Sequence, residues 1–580
     1  MKKWATAGLI SAFFLAIVMR TLPMWHGELF WGVDGGEYYG ILSYLVSNGY
    51  IRTSGYTGFG FTYPYFPGFF HVSGAMALFG ISDLGSLRWT VPVLGSLFPL
   101  VGFLVALEMV GDERVAVMTA FFMAVFPPHV VQTARQMPGA LGDLLVLFST
   151  LAFVRWLASD EREYMAVFFA SSLALIATHH LSTLFLIFLL GGGLWLAIIY
   201  PMLLAAAGRL SIKEAPEEKK KRLEKIATGS LALLAVSVMA ALFWLSSPFT
   251  CILSEAGMPP YAAAFLPALV PLGAAMFSLA AQKTGGGTGR REGSKREMWT
   301  WKKTAATQIS VLALSLALVS VMAQMGLLVV DTHTFFLIMI FFLPTIAFLS
   351  FLPVGLKLAK LSWAGMVLMG GLGTMTLSFL AASVFDLHFL PSFRHPQYMS
   401  LPMAAISCLG IYLYSARFGH RGNRALAALT IALGVAMIAT AYPPPQVLAS
   451  QGTPLQDIPG VLWTREGVPG DVLVAADHRM SSMVFGFAGK DATWEGKTGE
   501  TGALLHGEED WETALENIQT PSGKKSPDVL VVDKRTTEGA FLYPWDPVRP
   551  IPPEERVFEN FPVIYDDGYT RAYIILYDSG

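Results

Sequence analysis

Charge and cysteine are what this sequence has little of. Only 14% of its 580 residues are Asp, Glu, Lys or Arg, against about 25% in an ordinary soluble domain. With 54% hydrophobic residues and a mean hydropathy of +0.52, the chain falls outside the soluble globular class and reads as an integral membrane protein. Its two cysteines, Cys251 and Cys408, lie in or beside apolar runs without metal-type spacing, so neither a disulfide framework nor a zinc site is expected. The formal net charge of −2 says nothing about partners, because the charges are segregated along the chain.

What is there instead is a series of apolar runs from Ala5 to Tyr442, each long enough to cross a hydrocarbon core of about 30 Å as a helix. After a first near Trp4 to Val18, the runs fall at roughly 87–108, 115–130, 141–158, 164–178, 182–204, 227–246, 260–281, 304–330, 335–353, 361–383, 397–415 and 425–442, about thirteen spans in all. Met1-Lys2-Lys3 before an apolar run resembles a signal peptide, but no small-x-small cleavage site follows, and we read an uncleaved first span. Gly55 to Gly80 is almost apolar enough to count, yet its aromatics with Pro64 and Pro67 suit a helix lying in the interface. Lysine and arginine decide between these choices. With the N-terminus inside, the inner side holds Lys2, Lys3, Arg114, Arg155, Arg162 and the basic runs 209–225 and 283–303, whereas the outer side before the tail holds only Arg20, Arg52, Arg88, Arg135 and Arg394. Counting Gly55–Gly80 as a span would reverse every later loop and destroy that bias.

The outer face then carries the candidate chemistry. Asp34 and Glu37 stand three apart, around Gly35 and Gly36, at the start of a helix-period run. Asp-x-x-Glu in that position is a capping box, with Glu37 reaching back to the cap; a carboxylate near hydrocarbon is equally a candidate general base or metal ligand. The second outer loop, Pro127 to Asp143, brings out His129, Arg135 and Asp143. Asp143 reads either as a helix N-cap or as the second carboxylate of a pair with Asp34, holding a divalent cation or bracketing a hydroxyl. His129 reads as an interface histidine. His179 and His180 mark an outer turn, where neighbours about 100° apart on a helix do not easily share one metal. Glu255, Asp331 and His333 are weaker outer candidates. Arg394, beside His395 and Tyr398, suits bidentate phosphate recognition or is a snorkelling interface arginine.

From Pro443 onward the chain has the length and composition of one small domain. Asp471–Ala476 and Asp528–Asp533 read as buried strands, 508–519 as a helix between them, and the alternation around Asp567-Gly568 as a hairpin. The expected result is an α/β fold with an antiparallel edge. Asp477-His478-Arg479 and Asp533-Lys534-Arg535 follow the two strands, where open α/β sheets bind ligands. They read either as exposed loop charges or as an acceptor-binding edge.

Several of these residues together resemble a known family. Asp34, then Tyr44-Leu45-Val46-Ser47-Asn48-Gly49, then Thr62-Tyr63-Pro64 and Pro67-Gly68, are similar to the first outer loop of GT-C membrane glycosyltransferases, most of all the catalytic subunit of oligosaccharyltransferase. Arg135, Gly139 and Asp143 resemble its second outer loop, and Arg394 to Ala404 the segment in which an arginine meets the donor's phosphate. The departures are a lone Asp143 in place of an acidic pair, a short loop at Asp331–Thr334, and no WWDYG motif, with Asp477-His478-Arg479-Met480 at the comparable point.

The resemblance implies a polytopic α-helical membrane protein, GT-C-like, with a transmembrane domain over 1–442, its catalytic first outer loop at 25–85, and an extracytoplasmic α/β domain over 443–580. It implies a cell-membrane glycosyltransferase that moves a sugar or glycan from a polyprenyl-phosphate-linked donor to an acceptor on the outer face. Asp34 and Asp143 are the expected catalytic residues. Arg394, Arg135, Tyr398, Glu37, His179 and His180 are the expected substrate contacts. A divalent cation, Mg or Mn, would be held by Asp34 and Asp143, the alternative being metal-independent transfer. The partners are the lipid-linked donor, an acceptor of unspecified kind and membrane lipid, with no nucleic acid. A transporter or flippase would place charges near mid-membrane and often repeat its halves, and neither is seen. A non-catalytic relative that binds lipid-linked sugar is the third class.

Overall fold

A computed structural model of the chain describes residues 1–52, 66–206, 216–246, 265–283, 343–358, 362–385, 394–416, 422–441, 452–470, 472–493, 527–538 and 561–576, together with 390, 501, 502, 504, 505, 513 and 558. The Thr62-Tyr63-Pro64 turn, Cys251, Glu255, Asp331, His333, the expected span 304–330 and most of the expected helix 508–519 lie outside the described residues. The chain is mostly helical, and among the described residues eight helices are long and apolar enough to cross a membrane. They include α1 (Lys3–Trp25).

The run expected to be one span near 115–130 is instead two helices, Glu113–Val125 and Pro127–Ala134, bent by 55°. The sequence Phe126-Pro127-Pro128 explains the break. A residue before proline is pushed out of the helical region, and Phe126 is extended at φ −64° and ψ 112°. Each proline also lacks an N–H for a preceding turn but suits the first turn of a new helix. The segment expected as a span at 164–178 is a helix of 15 residues, Arg162–Ile176, which at about 1.5 Å per residue falls short of a hydrocarbon core.

The chain divides into two compact units. The first takes Met1–Met19, Leu94–Gln132 and Gly142–Tyr442. Its long helices pack through small residues, as membrane helices do when no water drives them together. Where His180–Ala206 crosses Trp363–Phe385, a methyl group on Gly192 would collide with Thr374 and the Gly370 carbonyl.

The second unit takes Arg20–Val93, Thr133–Leu141 and Pro443–Gly580. It therefore joins the first loop, part of the second loop and the tail. Strand β1 (Glu28–Trp31) pairs antiparallel with β2 (Gly452–Pro454), and helix α2 (Gly35–Asn48) follows β1. The tail adds a five-stranded sheet of β3 (Leu473–Ala475), β4 (Asp491–Ala492), β5 (Pro527–Asp533), β6 (Val563–Asp566) and β7 (Thr570–Ile574), in the order β4-β3-β5-β7-β6. β3 runs parallel to β4 and β5, while β5, β7 and β6 are antiparallel. The run PDVLVVD of β5 is buried on both faces except at Asp528, the pattern of a central strand. Its core gathers Ala475, Leu530, Val532, Tyr573 and Ile575. The two strands and the hairpin stand where the sequence puts them.

Candidate active site

The sequence-selected residues fall into two sets, one in each unit. Asp34, Glu37 and Arg135 belong to the second unit, and Asp143, His179, His180, Arg394 and Tyr398 to the first.

In the second unit, Asp34 stands at the start of α2 but makes no side-chain capping bond. Its Oδ1 lies 2.8 Å from Nε2 of His478, which starts the short helix α3 (His478–Met483) after β3. Its Oδ2 accepts from the Tyr38 hydroxyl at 3.3 Å. Arg135 is brought near by the strand before it: the Trp31 N–H donates to Gln136 Oε1 at 2.6 Å, and the Gln136 N–H donates back to the Trp31 carbonyl at 3.1 Å. Burial alone would push the Asp34 carboxyl up, but the hydrogen bond and charge of His478, the Tyr38 hydroxyl and the Arg135 guanidinium together hold it below the usual carboxylate range. Asp34 is thus an ionised acceptor at neutral pH, and 26% of its side chain stays exposed.

Glu37 is the opposite case. The capping box is not formed, because the Glu37 side chain turns into the protein instead of back to the cap. It is fully buried, and neither carboxyl oxygen has a hydrogen-bond partner among the described residues. Burial, with the Asp34 charge beside it, raises its carboxyl well above the usual range, which favours the protonated form. Its backbone N–H donates to Ser482 Oγ at 2.9 Å. It is enclosed at the back of the Asp34 turn and presents no polar atom to a ligand.

In the first unit, Asp143 sits in the second turn of the helix Pro138–Ser159, so it is no N-cap. It is 4% exposed. One oxygen accepts from the Gln397 side-chain amide and the other from Ser182 Oγ at 3.3 Å. Ser182 Oγ in turn lies 2.7 Å from the Tyr398 hydroxyl and 2.8 Å from His179 Nδ1. Phe185 stacks on Tyr398 at 4.1 Å between ring centroids. The His180 ring lies 5.2 Å from that of His179. Asp143, Gln397 and Tyr398 line a small cavity with Phe98, His129 and Ser400. His129 is buried edge-on against Phe98, a core position rather than an interface one. Arg394 begins the helix His395–Ser415 and donates to Gln132 Oε1 at 2.8 Å.

Most of the charges after the strands are buried, Lys534 being the exception at 58% exposed. Arg479 is fully buried, with Asp533 at 2.6 Å and Asp477 at 3.6 Å. The two acids also cap the turns that follow β3 and β5, accepting from Met480 N–H and Thr536 N–H at 2.8 Å each. Arg535 leaves this cluster to bind Glu28 on β1 and the Gly452 carbonyl on β2, each at 2.7 Å.

Among the described residues, no group of three or more His, Cys, Asp or Glu side chains could hold a metal ion. No step below runs through a metal ion. Sequence reasoning missed three participants, Gln397, Ser182 and the bond from His478 to Asp34. Gln397 lies one helical turn after Arg394 and Ser182 one turn after His179, spacings that mark neighbours on a helix face.

By sequence, no protein-family model and no curated protein matches the chain. Solved structures do. The oligosaccharyltransferase of Archaeoglobus fulgidus, tethered with an acceptor peptide containing the NVT sequon, aligns over 99% of this chain and 74% of its own, with TM-score 0.57 and 16% identity. Its complex with Zn and sulfate aligns over 98% and 72%, with TM-score 0.57 and 15% identity. The same organism's AglB, in complex with an inhibitory peptide and a dolichol-phosphate, aligns over 92% and 70%, with TM-score 0.50 and 14% identity. At this identity the likeness is one of fold: the chain is built like the oligosaccharyltransferase of Archaeoglobus fulgidus.

Proposed function

We propose that this protein is a multi-pass cell-membrane glycosyltransferase that moves a sugar or glycan from a polyprenyl-phosphate-linked donor to an acceptor on the outer face of the membrane. The observation that carries this reading is Asp34: an ionised, partly exposed carboxylate in the first loop of a GT-C-like fold, held from two sides by His478 and Tyr38. The dolichol-phosphate in the AglB complex supports a donor of that class, and the lysine and arginine bias supports an outward tail.

The reaction breaks the bond between the anomeric carbon and the phosphate oxygen and forms one to the acceptor heteroatom. The acceptor's proton passes to Asp34. A carboxylate this acidic is a weak base in the ground state, so the transfer occurs late, once the forming bond has made that proton acidic. The leaving phosphate keeps its electron pair, and a guanidinium suits its charge; Arg394 fills that role, with Arg135 beside Asp34. Asp143 assists by position. Its bond to Gln397 fixes the first turn of the helix that Arg394 begins.

Purified protein supplied with a radiolabelled polyprenyl-phosphate sugar and candidate protein, lipid and glycan acceptors tests the reading. Labelled product that disappears with Asp34→Asn is expected. Donor binding without transfer to any acceptor class would make this a non-catalytic relative.

A further inference from the structure

The tail's short helix α3 is fixed at both ends. At its start, Asp477 caps it and the buried Arg479 ties it to Asp533 at the end of β5. At its end, Ser482 takes the Glu37 N–H, and the chain continues through Val484–Ala488 against α2. That contact is backbone on backbone. A methyl group on Gly36 would meet the Ser482 carbonyl and the Met483 nitrogen, and one on Gly486 would meet the Gly36 carbonyl. Only hydrogen in place of a side chain permits such an approach. Phe487 adds a stack on Tyr39, at 4.2 Å and 17°. Between these anchors His478, 3% exposed, is set against Asp34.

We propose that His478 is a positioning residue of the transfer site, delivered by the tail: its Nε2 fixes Oδ1 of Asp34 so that Oδ2, beside Tyr38, is the oxygen presented to the acceptor. An ionised carboxylate only accepts, so Nε2 carries the proton and donates. The inference rests on the glycosyltransferase reading and deepens it, by making the tail part of the site rather than a cover above it.

The test compares His478→Ala, His478→Gln and Asp34→Asn in steady-state transfer and in thermal unfolding of the full chain in detergent. The amide nitrogen of glutamine can stand where Nε2 stands and donate as it does. His478→Ala is expected to lower kcat by about 10²-fold, on the scale of one well-aimed catalytic group, with donor KM within about threefold, the signature of an interaction made in the transition state. His478→Gln is expected to recover most of that loss, and His478→Ala to add little to Asp34→Asn. The melting shifts of the two single variants should also be non-additive in the double variant, as for residues in contact. A His478→Ala protein that folds and transfers at the wild-type rate, while Asp34→Asn is dead, would overturn this inference alone. Additive shifts with no rescue by glutamine would also overturn it. A wild-type protein without transfer would bring down the glycosyltransferase reading together with it.

Discussion

Asp34 and Asp143 are both acids in mostly apolar surroundings, and their settings differ in kind. Asp143 sits within a long apolar helix, is 4% exposed, and has both oxygens bonded to neutral donors, an amide and a hydroxyl. Asp34 sits on a turn, keeps 26% of its side chain open, and is held by an imidazole, a phenol and a nearby guanidinium. A polar group buried among apolar helices is stable only when satisfied, and the Asp143 side chain is closed off where that of Asp34 stays partly open. Under the proposed transfer reaction, the contrast favours Asp34 for the chemistry and Asp143 for the architecture of the Arg394 turn.

The largest effect expected is the one that would break this contrast. Asp34→Asn should lower transfer by about 10²–10⁴-fold, while Asp143→Asn loses less than about tenfold on the scale of an indirect role; equal losses would erase the distinction. Next is Arg479→Ala, which strands Asp477 and Asp533 in a dry interior and should cost about 3–5 kcal/mol. Limited proteolysis should then cut the tail, and an unchanged digestion pattern would mean the cluster is dispensable. Asp143→Ala leaves the Gln397 and Ser182 donors without their acceptor, for about 1–3 kcal/mol, read as a lower melting temperature in detergent.

The smallest effect sharpens the comparison within the Asp34 turn itself. Glu37 has a folded pKa raised above its ordinary value of 4.5, so its contribution to stability is full below that value and is lost as pH rises through the folded pKa. Asp34 has a folded pKa below 3.8, so its contribution is present above that value and is lost as pH falls through the folded pKa. Glu37→Gln should therefore melt like the wild type at pH 4 and a few degrees higher near pH 8, about 2–4 °C for each kcal/mol recovered. Identical melting at both pH values would show Glu37 to be ionised in the folded protein.

Local and periodic signals were legible in the sequence, and pairings over long separations were not. The strands flanking Val474 and Leu530, and the hairpin at Asp567-Gly568, could be read because alternation and turn chemistry are short-range. The break at Phe126 was written in its two following prolines, but hydropathy runs unbroken across it and hid the bend. The capping box failed for a tertiary reason: the local bond between Asp34 and the α2 backbone lost to one with His478, 444 residues away. The same holds for Arg479, whose burial depends on two strand ends that meet only in the sheet. Charges after strands look solvated in a sequence until the fold closes over them.

The bond between Asp34 and His478 also sets an order of events during synthesis. At about 5–20 residues per second, a ribosome needs roughly 20–90 s to travel from one residue to the other. Through that interval the first loop and most of the spans exist as nascent chain while the acid waits without its imidazole. The pair can close only after the tail has followed the last described span, Gly422–Ala439, and β3 has taken its place beside β5, so this acid is completed among the last parts of the molecule to be made.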